Sequence, residues 1–168
     1  MVNTSEPKPT LLQVNVNPEG GVPKYAVDAT TLTTEGVLGD RQLDLEWHGG
    51  KTRAVCLFAA ERIDALALEG HPITPGSTGE NLTLRGLDWS TLRVGSRLQI
   101  GTAAIIEITG PAPPCKTIAD SFVDGEFKRI SEKIHPHWSR LYAAVIREGK
   151  VQAGDSVLVL PSPAKHGA

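Results

Sequence analysis

Short apolar runs separated by turn residues recur along most of the chain. They are rich in Val, Ile, Leu and Thr and are bounded by Gly, Pro, Asn and Asp, which is the pattern of β-strands. We predict eight strands, over residues 11–16, 25–32, 53–58, 81–84, 96–100, 103–109, 141–146 and 156–160. Gly101 in "IGTA" predicts a tight hairpin between two of them. Many short strands with few helices predict a mostly β fold, a closed or nearly closed β-barrel with a few peripheral helices.

Two segments have instead the apolar spacing of three and four residues that is typical of helices. The first, "AAERIDALALEG", places Ile63, Leu66 and Ala67 on one face and ends at Gly70, a good residue for a helix C-terminus. The second, residues 124–134, repeats this spacing and directs its basic side chains outward. We predict a helix in each segment.

Length and charge narrow the class of protein. A chain of 168 residues predicts one domain with a sizeable core, over residues 10–160, with flexible tails at 1–9 and 161–168. A net charge of -2 and 5% aromatic residues argue against binding to nucleic acid. No apolar run approaches the roughly 18 residues that a membrane span needs, and the N-terminus lacks the pattern of a signal peptide. We therefore expect a cytoplasmic protein without membrane partners.

The two cysteines lie in different contexts. Cys56 is part of the apolar run "RAVCLFAA" and is predicted to be a buried thiol, and a reducing compartment argues against a disulfide. Cys115 lies in "GPAPPCKTI", where prolines fix the backbone and remove N–H donors, so this cysteine is expected in a turn outside any sheet. Neighbouring Lys116 would favour the thiolate. Cys115 is either a nucleophile or soft-metal ligand, or a small residue that fills a tight loop.

Three further segments carry candidate chemistry. His48 before Gly49 and Gly50 could bond an anion, act as an acid or base, or cap a turn. The turn at 78–81, "TGEN", could form a nest of N–H groups for an anion, or simply lead into a strand. The pair "HPH" at 135–137 could share a zinc ion, although its proline favours a turn.

Asp40 and Arg41, which precede the His48 segment, also lie in a turn, and we predict that they form a pair on the surface.

Four segments in order resemble a known family. They are "GVLGDRQLDLEWHGGKTRAVCLF", "PGSTGENLTLRGL", "LRVGSRLQIGTAAIIEITGPAPPC" and "VQAGDSVLVL", which together span residues 36–160. The chain resembles a stand-alone MOSC domain, the domain named after the C-terminal part of molybdenum-cofactor sulfurase. The resemblance implies a mostly β, barrel-like fold.

The same resemblance implies a molybdenum cofactor (molybdopterin) with Cys115 as the catalytic residue, either as ligand to the molybdenum or as carrier of sulfur destined for it. It implies that five further residues bind the cofactor, namely His48, Gly49, Gly50, Asn81 and Arg140. Arg140 is the candidate for the cofactor phosphate. Tyr142 lies in the same segment. Many relatives carry Arg where this chain has Ala112.

The implied activity is reduction of small N-hydroxylated compounds, independent of pyridoxal phosphate. Because the chain has no flavin or iron–sulfur signature, a separate electron-donor protein would supply the electrons. Two alternatives remain open at this point. The chain could carry a persulfide or deliver the cofactor, or it could be a small barrel whose thiol is inert.

Overall fold

The computed structural model describes residues 7–41 and 50–161. Within these ranges the chain forms eleven strands and one α-helix. They are β1 (Thr10–Val16), β2 (Tyr25–Val27), β3 (Ala29–Thr33), β4 (Gly36–Val37), β5 (Val55–Ala59), α1 (Ala60–Leu68), β6 (Leu82–Arg85), β7 (Arg97–Ile100), β8 (Ala104–Ala112), β9 (Arg140–Arg147), β10 (Gly149–Gln152) and β11 (Val157–Leu160). Most of the two predicted tails lies outside the described residues.

The strands form two sheets. The larger has eight strands in the order β11-β7-β8-β9-β5-β6-β1-β2, and the smaller has three in the order β10-β3-β4. Neighbours pair antiparallel except for β5 and β6, which run parallel because α1 lies between them in the chain and returns it to the same end of the sheet. The mostly β character predicted from the sequence is confirmed.

The larger sheet does not close into the predicted barrel. The larger sheet ends at β11 and β2, and no ladder joins these ends within the described residues. The β11 end approaches β1, the strand next to β2, at an isolated bridge between Thr10 and Ser156 and at the N–H of Leu11, which donates to Asp155 O at 2.8 Å. β2 pairs with the other half of β1, over Val14–Val16, so this edge of β1 is divided between β2 and the single bridge to Ser156. The sheet therefore stays open.

The predicted strands are largely present, with different bounds. The single strand predicted over 25–32 is two, because the chain leaves the first sheet at Asp28 and enters the second. β8 continues through Pro111 to Ala112, which pairs with Arg140 of β9. β4 and β10 carry no apolar run long enough to be predicted. The hairpin at Gly101, whose φ is 67°, is confirmed.

The first predicted helix is confirmed as α1. Ile63 and Leu66 are buried against the core, whereas Ala67, predicted on the same face, is exposed. The helix stops before Gly70, whose φ of 102° suits the left-handed conformation that follows a helix end. Among the described residues, no helix is long and apolar enough to cross a membrane.

The second predicted helix, over 124–134, is wrong. This segment forms short 3-10 turns at Val123–Gly125 and Phe127–Ile130. Asp124 and Gly125 have φ values of 55° and 67°, in the left-handed region that an α-helix cannot contain. Apolar residues at helical spacing therefore pack as separate turns here.

Alternation along the central strands separates two faces of the larger sheet. Val55 and Leu57 of β5 belong to the main core, as do Leu141 and Ala143 of β9. The residues between them point to the opposite face, because successive side chains of a strand alternate. That opposite face carries the candidate site.

Candidate functional site

The opposite face has a small apolar floor of its own. Cys56, Ala112 and Tyr142 form a buried cluster separate from the main core. Pairing between strands brings them together, because Cys56 of β5 and Gly110 of β8 are both opposite Tyr142 of β9. One buried thiol, one methyl group and one phenol thus line the floor of the site.

Tyr142 is the point where the charged groups of this face meet. Burial raises the pKa of Tyr142 to about 12, the charges of Cys56 and Cys115 act in the same direction, and the guanidinium groups of Arg140 and Arg53 oppose them. The Cζ atom of Arg53 lies 5.4 Å from the centre of the tyrosine ring. The two thiols and the two cations are therefore neighbours of one phenol.

Cys115 lies just beyond the end of β8. Its backbone is extended, with φ of -139° and ψ of 173°, and the 3-10 turn Lys116–Ser121 starts after it. The thiol is partly exposed, and its Sγ lies 2.8 Å from Oγ1 of Thr117. The prediction that this cysteine lies outside any sheet is confirmed.

Cys56 is buried, as predicted, and both cysteines are free. Burial raises the pKa of the Cys56 thiol to about 11, so this sulfur stays protonated at neutral pH. Its backbone N–H donates to Oδ1 of Asn81 at 3.0 Å. Cys56 therefore contributes apolar surface to the site.

Arg140 connects two segments of the site. Its Nη1 donates to the carbonyl oxygen of Thr78 at 2.6 Å, and its Nη2 donates to that of Pro113 at 3.3 Å. The residue is 7% exposed, and its Nε is buried without a hydrogen-bond partner in the described part of the chain. A buried N–H of a cation without an acceptor is costly, so we expect an acceptor for it from beyond the described residues.

Asn81 is fully engaged inside the protein. Its Nδ2 donates to Oδ2 of Asp40 at 3.0 Å and to the carbonyl oxygen of Asn15 at 3.3 Å, and its Oδ1 accepts the N–H of Cys56. With 1% exposure, the side chain ties β1 to β5 beneath the site. Its predicted contact with a cofactor stays a prediction.

Asp40 was predicted on the surface, and this is wrong. Its side chain is 3% exposed and both oxygens lie 2.7 Å from Nζ of Lys24, which is buried as well. The sequence separation of this pair, 16 residues, gives no local signal. Arg41 is exposed, so the two neighbours do not share one environment.

Glu80 is a second buried carboxyl group that the sequence did not predict. It accepts hydrogen bonds from the hydroxyls of Thr78 and Thr83, each at 3.1 Å, and from the backbone N–H groups of Gly76 and of Glu80 itself. Burial raises its pKa. Because the turn's own carboxyl group takes these N–H groups, the structure favours a strand-entry turn over a nest for an external anion.

Gly50 and its neighbours border the site on another side. Gly50 has a φ of 77° and precedes the 3-10 turn Lys51–Arg53. A pocket of about 200 Å³ lies between this turn, the end of β8 and Tyr142. The predicted site residues His48 and Gly49 lie outside the described residues.

The two histidines near residue 136 lie in a turn. The N–H of His137 donates to the carboxyl group of Glu132, with the shorter contact at 3.0 Å. In the described ranges, no three His, Cys, Asp or Glu side chains converge as metal ligands.

The segment that follows Cys115 is fastened to α1. Arg129 forms a two-pronged ion pair with Glu69, with contacts of 2.9 and 2.8 Å, and this bond lowers the pKa of Glu69. The Cζ atoms of Arg62 and Arg129 lie 4.5 and 4.1 Å from the ring centre of Trp138. These contacts give an otherwise irregular segment a fixed position against the helix.

Comparison with known proteins gives consistent results. The model of the MOSC domain family matches residues 44–158. YflK of Bacillus subtilis is 30% identical over 144 residues, which cover 84% of this chain and 64% of YflK. YiiM of Escherichia coli is 31% identical over 159 residues, which cover 89% of this chain and 69% of YiiM. The chain thus spans about two thirds of the length of these curated relatives.

Solved structures agree in fold. YiiM from Geobacillus stearothermophilus superposes with a TM-score of 0.69 at 22% identity, covering 91% of this chain and 75% of that one. The YUAD protein from Bacillus subtilis gives 0.70 at 19% identity, covering 90% and 94%. At these identities the likeness shows the fold alone.

Proposed function

The chain belongs to the MOSC domain family, and from this premise we propose that it binds a molybdenum cofactor through Cys115 and reduces N-hydroxylated compounds in the cytoplasm. The observation that carries the proposal is a partly exposed thiol two residues from Pro113, whose carbonyl oxygen binds a buried arginine with an Nε that no described residue accepts from. A thiolate is a soft ligand for a metal, and a guanidinium group suits a phosphate.

The donor set fits such a cofactor. Cys115 offers sulfur at the edge of the site. Arg140 offers an Nε–H that has no acceptor among the described residues, and an anionic group could accept from it. Arg53 adds a second cation beside Tyr142. The apolar floor of Cys56, Ala112 and Tyr142 keeps water from beneath the site.

Ala112 takes on a particular meaning in this proposal. Many relatives are expected to carry Arg there, and here Ala112 is directly opposite Arg140 in the sheet. Arg140 reaches the carbonyl oxygen of Pro113, the residue after Ala112. We infer that Arg140 supplies the positive charge that the relatives place one strand away.

The cofactor, when bound, supplies the two-electron chemistry of its metal centre. In the overall reaction the N–O bond breaks, and the hydroxylamine takes two electrons from a separate electron-donor protein and two protons from solvent to give an amine and water. Cys115 would bind the metal, and Arg140 would orient the anionic part of the cofactor. Tyr142 keeps its phenolic proton at neutral pH because burial raises its pKa to about 12.

The test is the molybdenum and pterin content of protein made in a host that synthesises the cofactor. We expect near-stoichiometric metal in the wild type and in the matched variant Cys56→Ala, and loss of the metal in Cys115→Ser. Loaded protein should then reduce an N-hydroxylated compound with a reduced dye as electron source. Metal retained by Cys115→Ser would refute the assignment of the ligand.

Persulfide carriage or cofactor delivery, the second candidate, uses the same exposed thiol, with the Thr117 hydroxyl 2.8 Å from its sulfur. It predicts wild-type protein without stoichiometric molybdenum and with a mass increase of about one sulfur atom at Cys115. That pair of results would replace the reductase proposal.

A further inference from the structure

Hydrogen bonds connect both chain segments that flank Cys115 to the turn at 76–80. On the N-terminal side, the carbonyl oxygen of Pro113 accepts from Arg140, which also donates to the carbonyl oxygen of Thr78. On the C-terminal side, Oγ of Ser121 donates to Oγ of Ser77 at 2.9 Å. The turn at 76–80 is therefore the common support of the cysteine and the arginine.

Glu80 holds this turn from the inside. Its carboxyl group, which has no exposed surface, takes hydrogen bonds from two hydroxyls and two backbone N–H groups of residues 76–83. One of the hydroxyls belongs to Thr78, whose carbonyl oxygen binds Arg140. The carboxyl group thus fixes the residue to which the guanidinium group is attached.

The outer side of the turn is fixed by packing. A Cβ atom on Gly76 would lie 2.5 Å from the carbonyl oxygen of Lys24, and one on Gly79 would lie 2.7 Å from Cγ1 of Val22. The turn is therefore enclosed between the 22–24 segment and the carboxyl group of Glu80, with no room to shift outward.

We propose that Glu80 is a positioning residue, which sets the guanidinium group of Arg140 relative to the thiol of Cys115. It acts through the turn at 76–80 and touches neither cofactor nor substrate. This inference rests on the proposed function only in taking Cys115 and Arg140 as the site. Removal of the carboxylate should let Arg140 move while the fold persists.

The test compares two alkylating reagents on protein without cofactor. Iodoacetate is an anion and iodoacetamide is neutral. The rate constant of iodoacetate at Cys115 divided by that of iodoacetamide therefore reports the positive potential at the thiol. Modification is quantified on the Cys115 peptide by mass spectrometry at low salt. We expect Arg140→Gln to lower the ratio about threefold or more, because it removes the unit charge that binds the carbonyl oxygen of Pro113, two residues from Cys115. Added salt should level the ratio in the wild type.

Glu80→Gln and Glu80→Ala should also lower the ratio, because Arg140 can then move away from Cys115. The isosteric Gln variant should show the smaller decrease. Ile63→Val, a buried change in α1, is the matched control and should leave the ratio unchanged. If Glu80→Gln does not fold, Thr78→Val removes one of the two hydroxyls bound to Glu80 and takes its place.

An unchanged ratio in folded Glu80→Gln would overturn the proposal, and so would one in Thr78→Val if that variant has to replace it. An unchanged ratio in Arg140→Gln would overturn it as well. Because the assay needs no cofactor, it is separate from the molybdenum measurement. Wild type without molybdenum but with a Glu80-dependent ratio would reject the reductase function and support the positioning role.

Discussion

Cys56 and Cys115 lie on the same side of one sheet, and their surroundings differ in almost every respect. Cys56 lies inside β5, a strand that pairs with β6 and β9 on its two sides, and burial raises the pKa of its thiol to about 11. Cys115 lies three residues beyond the end of β8, partly exposed, with the Thr117 hydroxyl beside its sulfur. The two cysteines show that the exposure of a thiol on this sheet depends on where its strand ends.

Proline accounts for where it stops. Pro113 and Pro114 follow the last paired residue of β8, and neither can donate a backbone N–H to a neighbouring strand. The chain leaves the sheet, and Cys115 is free to face the site. In β5 every residue can donate an N–H, and Cys56 stays enclosed.

The largest effect we expect is in the alkylation rates of the two thiols. With a pKa of about 11, only about one part in a thousand of Cys56 is thiolate at pH 8, and its sulfur is buried besides. Because Cys56 is both protonated and buried whereas Cys115 is partly exposed, Cys115 should react at least about 100 times faster with iodoacetamide in the native protein. In denaturant the two rates should converge. Equal rates in the folded state would remove the basis of the comparison.

The next effect is on the network that encloses Cys56. Asn81→Ala removes three hydrogen bonds and leaves Asp40 with one fewer buried partner, so we expect a loss of about 3 kcal/mol in the free energy of unfolding by urea. Asn17→Ala removes two exposed hydrogen bonds, one donated to the carbonyl oxygen of Pro23 and one accepted from the N–H of Glu19, and should cost only about 1 kcal/mol. Similar costs for both variants would show that the network does not hold β5.

The smallest effect concerns the turn that supports Cys115. Gly76→Ala should cost about 2 kcal/mol, because its φ of 86° strains an L residue and its Cβ would lie 2.5 Å from a backbone oxygen. Gly154→Ala has a φ of 95° and open space, so about 1 kcal/mol is expected. Thermal and urea unfolding of both variants measure the difference. No difference between them would mean that the turn can shift.

Local patterns were sufficient for much of the fold. The apolar runs of β1 and β5–β9 are continuous in sequence, and Gly70 marks the end of α1, so strands and helix could be predicted. The segment at 124–134 has helical spacing and is not helical, because left-handed residues and contacts with α1 override the pattern. That the larger sheet stays open could not be predicted either, since this depends on which strands pair with β1.

The candidate site, like the fold, could be predicted only in part. By itself the sequence determined that Cys56 is buried and that Cys115 lies outside the sheet, because apolar neighbours and proline act within a few residues. The three-dimensional fold is what pairs Asp40 with Lys24, lets Glu80 hold the turn at 76–80 and connects that turn through Arg140 to Pro113. These contacts join residues up to 62 positions apart, and buried charges find partners across strands that no local pattern specifies.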